Sequence, residues 1–385
     1  MNNEEKYNLI TRNIEETMTG DDLKWMIEND IPLKHYIGFE ISGKLHLGAG
    51  LVLMQKIKDL MDAGVECNIY LADWHTWVNE KLDGTIETAQ KIAQGYFKNA
   101  LMKSLECLGG DPSKLNFILG TDLYHNNDKF WETVIDVSKH TTLARMKRSI
   151  TILGKEEGEG VDFAKLIYPA MQVADIFTIG ANISHAGMDQ RKAHVIARDV
   201  ALQIENNPFE YDSKKYKPVA IHGPLLMGLG KPSEWPIDEN KKDELISALK
   251  MSKSQPDSAV FIHDSEDEIM RKVKKAFCPE GEVGYNPILN WAKLLIFTRE
   301  KSIYPSRLGV EPRRTISRKP EHGGDLIFNS YNELEKVFEK KELHPMDLKN
   351  FVAEYLIGLL KPARDYFMDG DGRKMLDELE NINAE

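Results

Sequence analysis

YIGFEISGKLHLGAG, residues 36–50, is the stretch that decides the fold. It predicts a short strand over Tyr36–Glu40, a turn that contains Gly43, and a helix that begins near His46. An apolar run at Asn68–Ala72 predicts the next strand. Strand, glycine turn, helix and strand make a right-handed parallel unit, and the exposed amides at the start of such a helix can hold a phosphate. The stretch therefore favours a nucleotide as ligand, although any such unit needs glycines in its tight turns.

A pair of lysines occurs much further along the chain. Residues 250–254 read KMSKS, which places Lys250 and Lys253 three positions apart among small hydroxylic residues, in a segment flanked by prolines. Two cations on a loop suit a polyphosphate whose charge grows during a reaction. A lysine pair alone is usually solvated surface, so it is the presence of both stretches in this order that favours a nucleotide-dependent enzyme.

The composition is typical of a protein with packed cores. The chain has 385 residues, enough for two domains, and 42% of them are hydrophobic. A net charge of −11 argues against nonspecific coating of nucleic acid, which relies on a basic face. Three cysteines, odd in number and far apart, predict neither a disulfide framework nor a zinc site. No apolar run approaches a membrane span, so we expect a reduced, soluble, cytoplasmic protein without a resident metal.

The parallel pattern continues beyond the second strand. The segment LADWH follows that strand, and a further strand is predicted at Asn116–Leu119. Ligands bind at the carboxyl ends of parallel strands, so the polar and aromatic residues there should line a crevice, unless the tryptophans only pack. These residues are Asp73, Trp74, His75 and Trp77.

A predicted helical region over residues 130–155 has an unusual density of cations for an acidic protein. A solvated helix face is the ordinary explanation, and an acidic partner such as RNA is the alternative. The cations are Lys139, Arg145, Lys147, Arg148 and Lys155.

A helix predicted to begin at Pro169 has polar residues on one face of an apolar sequence, YPAMQVADIF. Tyr168, Gln172 and Asp175 fall at positions i, i+4 and i+7. A buried polar group without a partner costs about 1–3 kcal/mol. The pattern therefore indicates either a polar ligand or an internal hydrogen-bond network.

The last part of the parallel region is predicted to begin in ANISH, residues 181–185. A strand leads to a helix headed by Asp189, Gln190 and Arg191, and further strands are expected at Val219–Ile221 and in AVFIH, residues 259–263. Helices follow, so we place a domain boundary near residue 264. Four candidates are Ile269–Phe277, Ile288–Phe297, Tyr331–Phe338 and Met346–Leu360.

The paired signatures, HLG at residues 46–48 and KMSKS, resemble those of class I aminoacyl-tRNA synthetases. Further motifs, among them LADWH, YPAMQVADI, AGMDQRKAHVIAR and LHPMDLKN, extend the resemblance over nearly the whole chain, to the archaeal and eukaryotic type of tyrosyl-tRNA synthetase. The resemblance implies an α/β, doubly wound (Rossmann-type) parallel-sheet catalytic domain over residues 1–264 and an α-helical anticodon-binding domain over residues 265–385. It also implies a homodimer with interface helices near 120–155, and a signature loop over 246–258.

The chemistry that the resemblance implies is activation of tyrosine by ATP, with Mg²⁺ on the pyrophosphate side, and then transfer of tyrosine to tRNA. The substrate's own carboxylate attacks the α-phosphate, so the protein's part is positioning and charge stabilisation. His46, Lys250 and Lys253 match the catalytic residues. Ala49 departs from the pattern, which often has a second histidine there. The positions that match ATP-binding residues are Gly38, Glu40, Gly43, His46, Gly48, Lys250, Met251 and Lys253.

The resemblance also implies sites for the amino acid and the tRNA. Tyr36 and Asp175 match the residues that bind the phenol, and Tyr168, Gln172 and Gln190 match those around the α-amino group. For the tRNA, Arg148, Arg191 and Lys192 match residues that read the acceptor stem. Asp347, which could otherwise be a helix cap, matches the residue that reads the first anticodon base. His322 stands where a phenylalanine often stacks on that base.

Two other functions stay open from the sequence. A tryptophanyl-tRNA synthetase shares the fold and the signatures, but an indole has one N–H donor and no hydroxyl, so the pair Tyr36 and Asp175 favours tyrosine. A catalytically inactive RNA-binding paralogue is the second alternative, and the presence of His46, Lys250 and Lys253 argues against it.

Overall fold

The computed structural model of the chain describes residues 1–153, 162–232, 235, 256–298 and 314–382. Lys250, Met251 and Lys253 lie outside the described residues, together with Lys155 and most of the signature loop predicted at 246–258. The end of that loop, Pro256–Ser258, forms a short 3₁₀ turn.

A six-stranded sheet lies at the centre of the fold, and two small two-stranded sheets accompany it. The strands are β1 (Glu16–Met18), β2 (Lys34–Phe39), β3 (Glu66–Leu71), β4 (Leu115–Leu119), β5 (Ile183–Gly187), β6 (Glu210–Tyr211), β7 (Lys214–Lys215), β8 (Val219–Gly223), β9 (Thr315–Ile316) and β10 (Leu326–Ile327). The large sheet has the order β1-β8-β5-β2-β3-β4. Only β1 is antiparallel to its neighbour. The order reverses between β2 and β5, and ligands of doubly wound sheets bind at this switch point.

The helices cover both faces of the sheet and make up most of the chain after residue 264. They are α1 (Asn3–Thr11), α2 (Gly20–Glu28), α3 (Met54–Asp62), α4 (Asp73–Val78), α5 (Ile86–Ile92), α6 (Lys98–Cys107), α7 (Gly120–Tyr124), α8 (Asp128–Lys139), α9 (Leu143–Ser149), α10 (Phe163–Ile179), α11 (Arg191–Val200), α12 (Glu266–Lys275), α13 (Pro287–Trp291), α14 (Tyr331–Glu339), α15 (Pro345–Leu359), α16 (Lys361–Met368) and α17 (Gly370–Ile382). Within the described ranges, no helix is both long and apolar enough to cross a membrane.

The side chains of β2 alternate between two hydrophobic clusters, one on each face of the sheet. Ile37 and Phe39 belong to a large cluster that continues through α3 and α6 into the helices after residue 264. Tyr36 belongs to a second cluster, built mainly by α8, α10 and α11. Because successive strand residues point to opposite faces, this alternation places Tyr36 on the side where α10 packs.

The helices after residue 264 pack both on each other and on the sheet-bearing part of the chain. Helix α12 packs against α15, and α16 packs against α6. Lys44 Nζ lies 2.6 Å from Glu380 Oε1, which joins the loop after β2 to the last helix. The helical character predicted for this part of the chain is thereby confirmed.

Several sequence predictions were wrong in detail. Residues 259–263 form no strand: Phe261 makes a single bridge to His46, and Ile262 N donates to Leu45 O over 3.1 Å. The apolar pattern of these residues reflects their burial beside the start of the helix that follows His46. This helix, formed by Gly48–Leu53 and α3, is called the signature helix below. The region 130–155 is helical as predicted as far as Leu153, but in separate pieces, because α8 ends at Lys139 and α9 begins at Leu143, where Thr142 supplies a new cap.

Helix α10 begins at Phe163 rather than at Pro169. The Asp162 side chain accepts a hydrogen bond from Lys165 N over 3.0 Å and caps the helix. Pro169 is therefore inside the helix, where it cannot donate to the carbonyl of Lys165. The sequence predicted a helix start at Pro169 because proline suits a first turn, but the cap at Asp162 places the start at Phe163 instead.

Candidate active site

A cavity of about 270 Å³ lies at the carboxyl ends of β2 and β5, at the switch point of the sheet. It brings together residues from β2, the signature helix, α4, α10 and the turn after β5. Of the residues predicted to bind ATP or tyrosine, those that line it are Tyr36, Gly38, Glu40, His46, Gly48, Tyr168, Gln172 and Gln190.

His46 stands at one side of this cavity, immediately before the signature helix. Its Nδ1 accepts a hydrogen bond from Gly48 N over 3.1 Å. In the neutral imidazole the proton is then on Nε2, which makes that atom a donor. A Cβ at Gly48 would lie 3.0 Å from His46 Cε1, so a side chain there would displace the ring. The helix opens with a wide π-type turn over Gly48–Leu53, a form often found at functional sites.

Asp175 does not itself line the cavity: it is completely buried beside the closed end, the end that Tyr36, Tyr70 and His75 line. Its Oδ1 accepts a hydrogen bond from the Tyr124 hydroxyl over 2.7 Å. Its Oδ2 lies 3.8 Å from His75 Nε2, and neither atom has a hydrogen-bond partner among the described residues. A buried carboxylate oxygen without a partner is costly. The free oxygen therefore points to a ligand that donates a hydrogen bond.

Burial controls the protonation of this end of the cavity. It raises the pKa of the Asp175 carboxyl well above its ordinary value, while the hydroxyls of Tyr124 and Tyr36 act in the opposite direction. Burial also lowers the pKa of His75 to about 3, so this imidazole is neutral. The pKa of Tyr36 is raised well above its usual range by burial and by the nearby Asp175.

Tyr36 projects from β2 beside Asp175 and is nearly inaccessible. A Cβ on Gly38 would lie 2.8 Å from the Tyr36 hydroxyl, so a glycine at this position leaves room for the side chain of Tyr36. Gly38 also lies in register with Tyr70 on β3. Although Gly38 was predicted to contact ATP, in the structure it also shapes the wall of the closed end.

Gln172 and Gln190 meet above this closed end. Gln172 Nε2 donates to Gln190 Oε1 over 3.2 Å, and Gln190 Nε2 donates to the carbonyl of Ile152 over 3.0 Å. Gln172 Oε1 is buried and has no partner within the described part of the chain. An amide oxygen accepts hydrogen bonds, so this atom suits a charged amino group. Tyr168 closes the same wall, edge-on to His75 at 4.4 Å between ring centroids.

The crevice predicted after β3 is only partly right. His75 lines the cavity, but Asp73, Trp74 and Trp77 do not. Asp73 is buried and accepts hydrogen bonds from Thr121, while the two tryptophans pack edge-to-face on each other. The alternative that the tryptophans only pack is thus the better description of Trp74 and Trp77.

Sequence reasoning missed Tyr70 and Tyr124, which complete the surroundings of Asp175. Tyr70 lines the cavity from β3, and its hydroxyl donates to that of Tyr124, which bonds Asp175. The position of Tyr70 in a strand next to β2 was a usable signal. Nothing in the sequence indicated Tyr124, because it lies 51 residues from Asp175.

Gly43 and Glu40, both predicted to bind ATP, follow β2. Gly43 does not line the cavity and has a φ of 117°, which fits its predicted place in the turn. Glu40 lines the cavity and accepts a hydrogen bond from Asn79 Nδ2 over 2.7 Å.

The residues predicted to meet the acceptor stem lie together on the surface. Lys192 Nζ donates to the carbonyl of Arg148 over 2.9 Å, and both side chains are exposed. Arg191 instead forms a two-pronged ion pair with Glu16 of β1, with Nε and Nη2 each 2.8 Å from a carboxylate oxygen. This pair lowers the pKa of Glu16.

The residues predicted to meet the anticodon lie in the last part of the chain, remote from the cavity in sequence. Asp347 is the third residue of α15 and is not its cap, because His344 Nδ1 accepts from Met346 N over 3.1 Å. His322 belongs to the short 3₁₀ turn Pro320–His322, and its side chain lies outside the described residues.

The chain matches a family of enzymes over most of its length. The model of the class I tRNA synthetases (W and Y) matches residues 28–361, and the chain belongs to this family. The chain is 52% identical over 369 residues to a tyrosine–tRNA ligase of Thermococcus sibiricus, covering 95% of this chain and 96% of the relative. It is 53% identical, over the same shares, to the tyrosine–tRNA ligase of Thermococcus kodakarensis.

A solved structure supports the same relationship. The crystal structure of tyrosyl-tRNA synthetase complexed with L-tyrosine from Pyrococcus horikoshii matches with a TM-score of 0.92 and 48% identity, covering all of both chains. Within its family the chain is thus of the archaeal tyrosyl type, as the motifs predicted. The predicted doubly wound sheet followed by a helical region is also confirmed.

Proposed function

We propose that the chain activates tyrosine with ATP, releasing pyrophosphate, and then transfers tyrosine from the adenylate to the 3′ end of its tRNA. The family supports an aminoacyl-tRNA synthetase, and the relatives named above support this specificity. The observation in the structure that carries the proposal is the unpartnered Oδ2 of Asp175 at the closed end of the cavity.

A phenol suits this end of the cavity better than an indole does. A phenol hydroxyl both donates and accepts hydrogen bonds, whereas an indole N–H only donates. Asp175 offers the acceptor, and Tyr36, close enough to affect the pKa of Asp175, offers a donor. Tryptophan would leave that donor unused, and an unsatisfied buried donor costs about 1–3 kcal/mol.

The first step needs no nucleophile from the protein. A carboxylate oxygen of tyrosine forms a bond to the α-phosphorus, and the bond to the bridging oxygen of pyrophosphate breaks. In the second step a ribose hydroxyl of the tRNA attacks the carbonyl carbon and AMP leaves. We propose that His46 donates from Nε2 to the phosphates as their charge develops. Lys250 and Lys253, whose placement the structure does not describe, are proposed to act on the same phosphates.

Mg²⁺ is proposed to enter with ATP rather than as a resident ion. Mg²⁺ commonly binds through substrate phosphates and keeps several waters, instead of using a cage of protein ligands. Among the described residues, no group of three or more histidine, cysteine, aspartate or glutamate side chains is placed to hold a metal ion. When bound, the ion would neutralise charge on the departing pyrophosphate.

The tRNA and a second copy of the chain are the proposed macromolecular partners. We propose residues 1–264 as the catalytic domain and 265–385 as the anticodon-binding domain, with Arg148, Arg191 and Lys192 at the acceptor stem and Asp347 and His322 at the anticodon. Exposed apolar side chains on α8 and α9, such as Ile135 (62% exposed) and Leu143 (61%), support the proposed dimer interface near 120–155.

Exchange of pyrophosphate into ATP, measured with tyrosine, tryptophan and phenylalanine in turn, tests the proposal. We expect exchange with tyrosine and much less with the other two. Exchange with tryptophan above that with tyrosine would instead support the tryptophanyl alternative, and no exchange with any amino acid would support the inactive paralogue. Charging of a tyrosine tRNA transcript then tests the second step.

A further inference from the structure

A chain of hydroxyl groups connects Tyr70, which lines the cavity, to Asp175 through Tyr124. Tyr70 donates its hydroxyl proton to the Tyr124 oxygen, and Tyr124 donates to Asp175 Oδ1 over 2.7 Å. His75 Nδ1 lies 3.5 Å from both hydroxyl oxygens. All four side chains are buried. Among the described residues, no lysine or arginine takes part in these contacts.

The hydroxyl of Tyr124 is held in place by its surroundings. The Tyr124 ring stacks on Phe130, with 4.0 Å between centroids and 23° between planes. Short helix α7, which carries Tyr124, is tied to α4 because Thr121 donates through both its backbone N and its hydroxyl to Asp73. The donor therefore approaches Asp175 from a fixed direction.

A fixed donor decides how the carboxylate is oriented. The terminal torsion of an aspartate is broad, so the side chain alone does not select one orientation. Tyr124 engages Oδ1, and Oδ2 is the oxygen left without a partner among the described residues, so Oδ2 is the better placed acceptor for a ligand. Without that hydroxyl, the two oxygens could rotate through positions less suited to a phenol.

We propose that Tyr124, supported by Tyr70, is a positioning residue that orients the Asp175 carboxylate toward the substrate hydroxyl and so helps to select tyrosine over phenylalanine. The inference rests on the proposed function and adds two residues to the specificity site. It assigns to Tyr124 a role that acts through Asp175, without contact to the substrate.

The variant Tyr124→Phe removes the hydroxyl and keeps the ring that stacks on Phe130. We expect kcat/KM for tyrosine in pyrophosphate exchange to fall about tenfold, the effect of one hydrogen bond to a charged group, mainly through a higher KM. We expect kcat/KM for phenylalanine, which has no hydroxyl to place, to stay the same. The ratio of the two values then falls about tenfold.

Tyr70→Phe and the double variant test the order of the chain. Tyr70 reaches Asp175 only through Tyr124, so its loss should reduce tyrosine activation less than the loss of the Tyr124 hydroxyl does. In the double variant, Tyr70→Phe should add almost nothing to Tyr124→Phe, because coupled residues are not additive. Independent, additive effects would overturn the proposed chain.

Tyr216→Phe is the matched control. The Tyr216 hydroxyl accepts a hydrogen bond from Asn182 over 3.2 Å, and the residue does not line the cavity. This variant loses a partly buried hydroxyl of the same kind, so it should leave the ratio of tyrosine to phenylalanine activation unchanged.

The outcomes separate this inference from the proposed function. If the parent does not activate tyrosine, the proposed function itself fails. Suppose that the parent is specific for tyrosine and that Tyr124→Phe lowers kcat/KM equally for tyrosine and phenylalanine, or for neither. Tyr124 is then a structural residue only, and the inference is overturned. A fall confined to tyrosine supports it.

Discussion

Asp175 and Asp347 are both aspartates on helices, and the family resemblance predicts that each recognises a ligand. Their surroundings are nevertheless opposite. Asp175 is completely buried and bonded to a neutral hydroxyl. Asp347 is partly exposed in the first turn of α15, where an acidic residue is favoured by the helix dipole. A buried charge without a cation lowers stability, whereas an acidic residue in a first turn raises it slightly. If the proposed roles hold, the difference teaches that the buried site gives up stability for recognition and that the exposed site does not.

The largest effect is expected at His46, which lines the cavity beside which Asp175 is buried and has a different proposed task. We expect His46→Ala to lower kcat for adenylate formation by about 10²–10³, the effect of losing one donor to developing charge. The KM for tyrosine should change little, because the closed end of the cavity is untouched. Pre-steady-state formation of the adenylate measures both constants. A higher KM for ATP with unchanged kcat would contradict the role and leave Asp175 as the main functional group.

Asp175→Ala should come next, with about a hundredfold loss of tyrosine activation. Its removal takes away the acceptor for the phenol and leaves the Tyr124 hydroxyl without a partner. The KM for ATP should stay near that of the parent, as pyrophosphate exchange at varied ATP would show. Asp347→Ala serves as the control and should leave exchange unchanged. If Asp175→Ala activates tyrosine as the parent does, Asp175 does not bind the phenol, and its contrast with Asp347 is only structural.

Asp347→Ala should produce the converse pattern, about a tenfold loss in charging of tyrosine tRNA with unchanged pyrophosphate exchange. The carboxylate is proposed to accept hydrogen bonds from the first anticodon base, and its helix keeps the cap supplied by His344. A tRNA altered at that base should lose less activity on the variant than on the parent. His322→Ala should also reduce charging, with less discrimination among bases, because stacking tolerates any base. Equal sensitivity to the altered base in parent and Asp347→Ala would show that Asp347 does not read it.

The smallest effects concern stability, where the two aspartates should change in opposite directions. The folded-state pKa of Asp175 is raised above that of the unfolded chain, so the folded state binds more protons and stability falls as pH rises from about 4. Asp175→Asn removes this loss and should raise Tm at pH 7 by about 2 °C or more. The gain should shrink as the pH is lowered toward 4. Asp347→Asn should lower Tm slightly, since it removes a favourable charge from the first turn.

Thermal unfolding of both asparagine variants at several pH values measures these shifts. A gain for Asp175→Asn that stayed constant from pH 7 to pH 4 would mean that the buried carboxylate is not the source of the instability. A lowered Tm at neutral pH would mean that hydrogen bonds to the carboxylate outweigh its burial.

Much of the fold and of the cavity follows from local sequence patterns. The strand, turn and signature helix around His46 and the polar face of α10 were predicted because strand and helix periodicities are properties of neighbouring residues. The errors were local as well: Pro169 and the apolar run at 259–263 fit more than one structure, and packing chose between them.

The amino-acid sequence by itself determined the class of fold and the family and supplied the candidate site residues, because these depend on motifs that each span a few residues. Only the tertiary structure decided what surrounds those residues. The pairing of Arg191 with Glu16 spans 175 positions, and that of Tyr124 with Asp175 spans 51. Such contacts follow from the order of strands in the sheet and from the packing of helices on it, so no local pattern of residues encodes them.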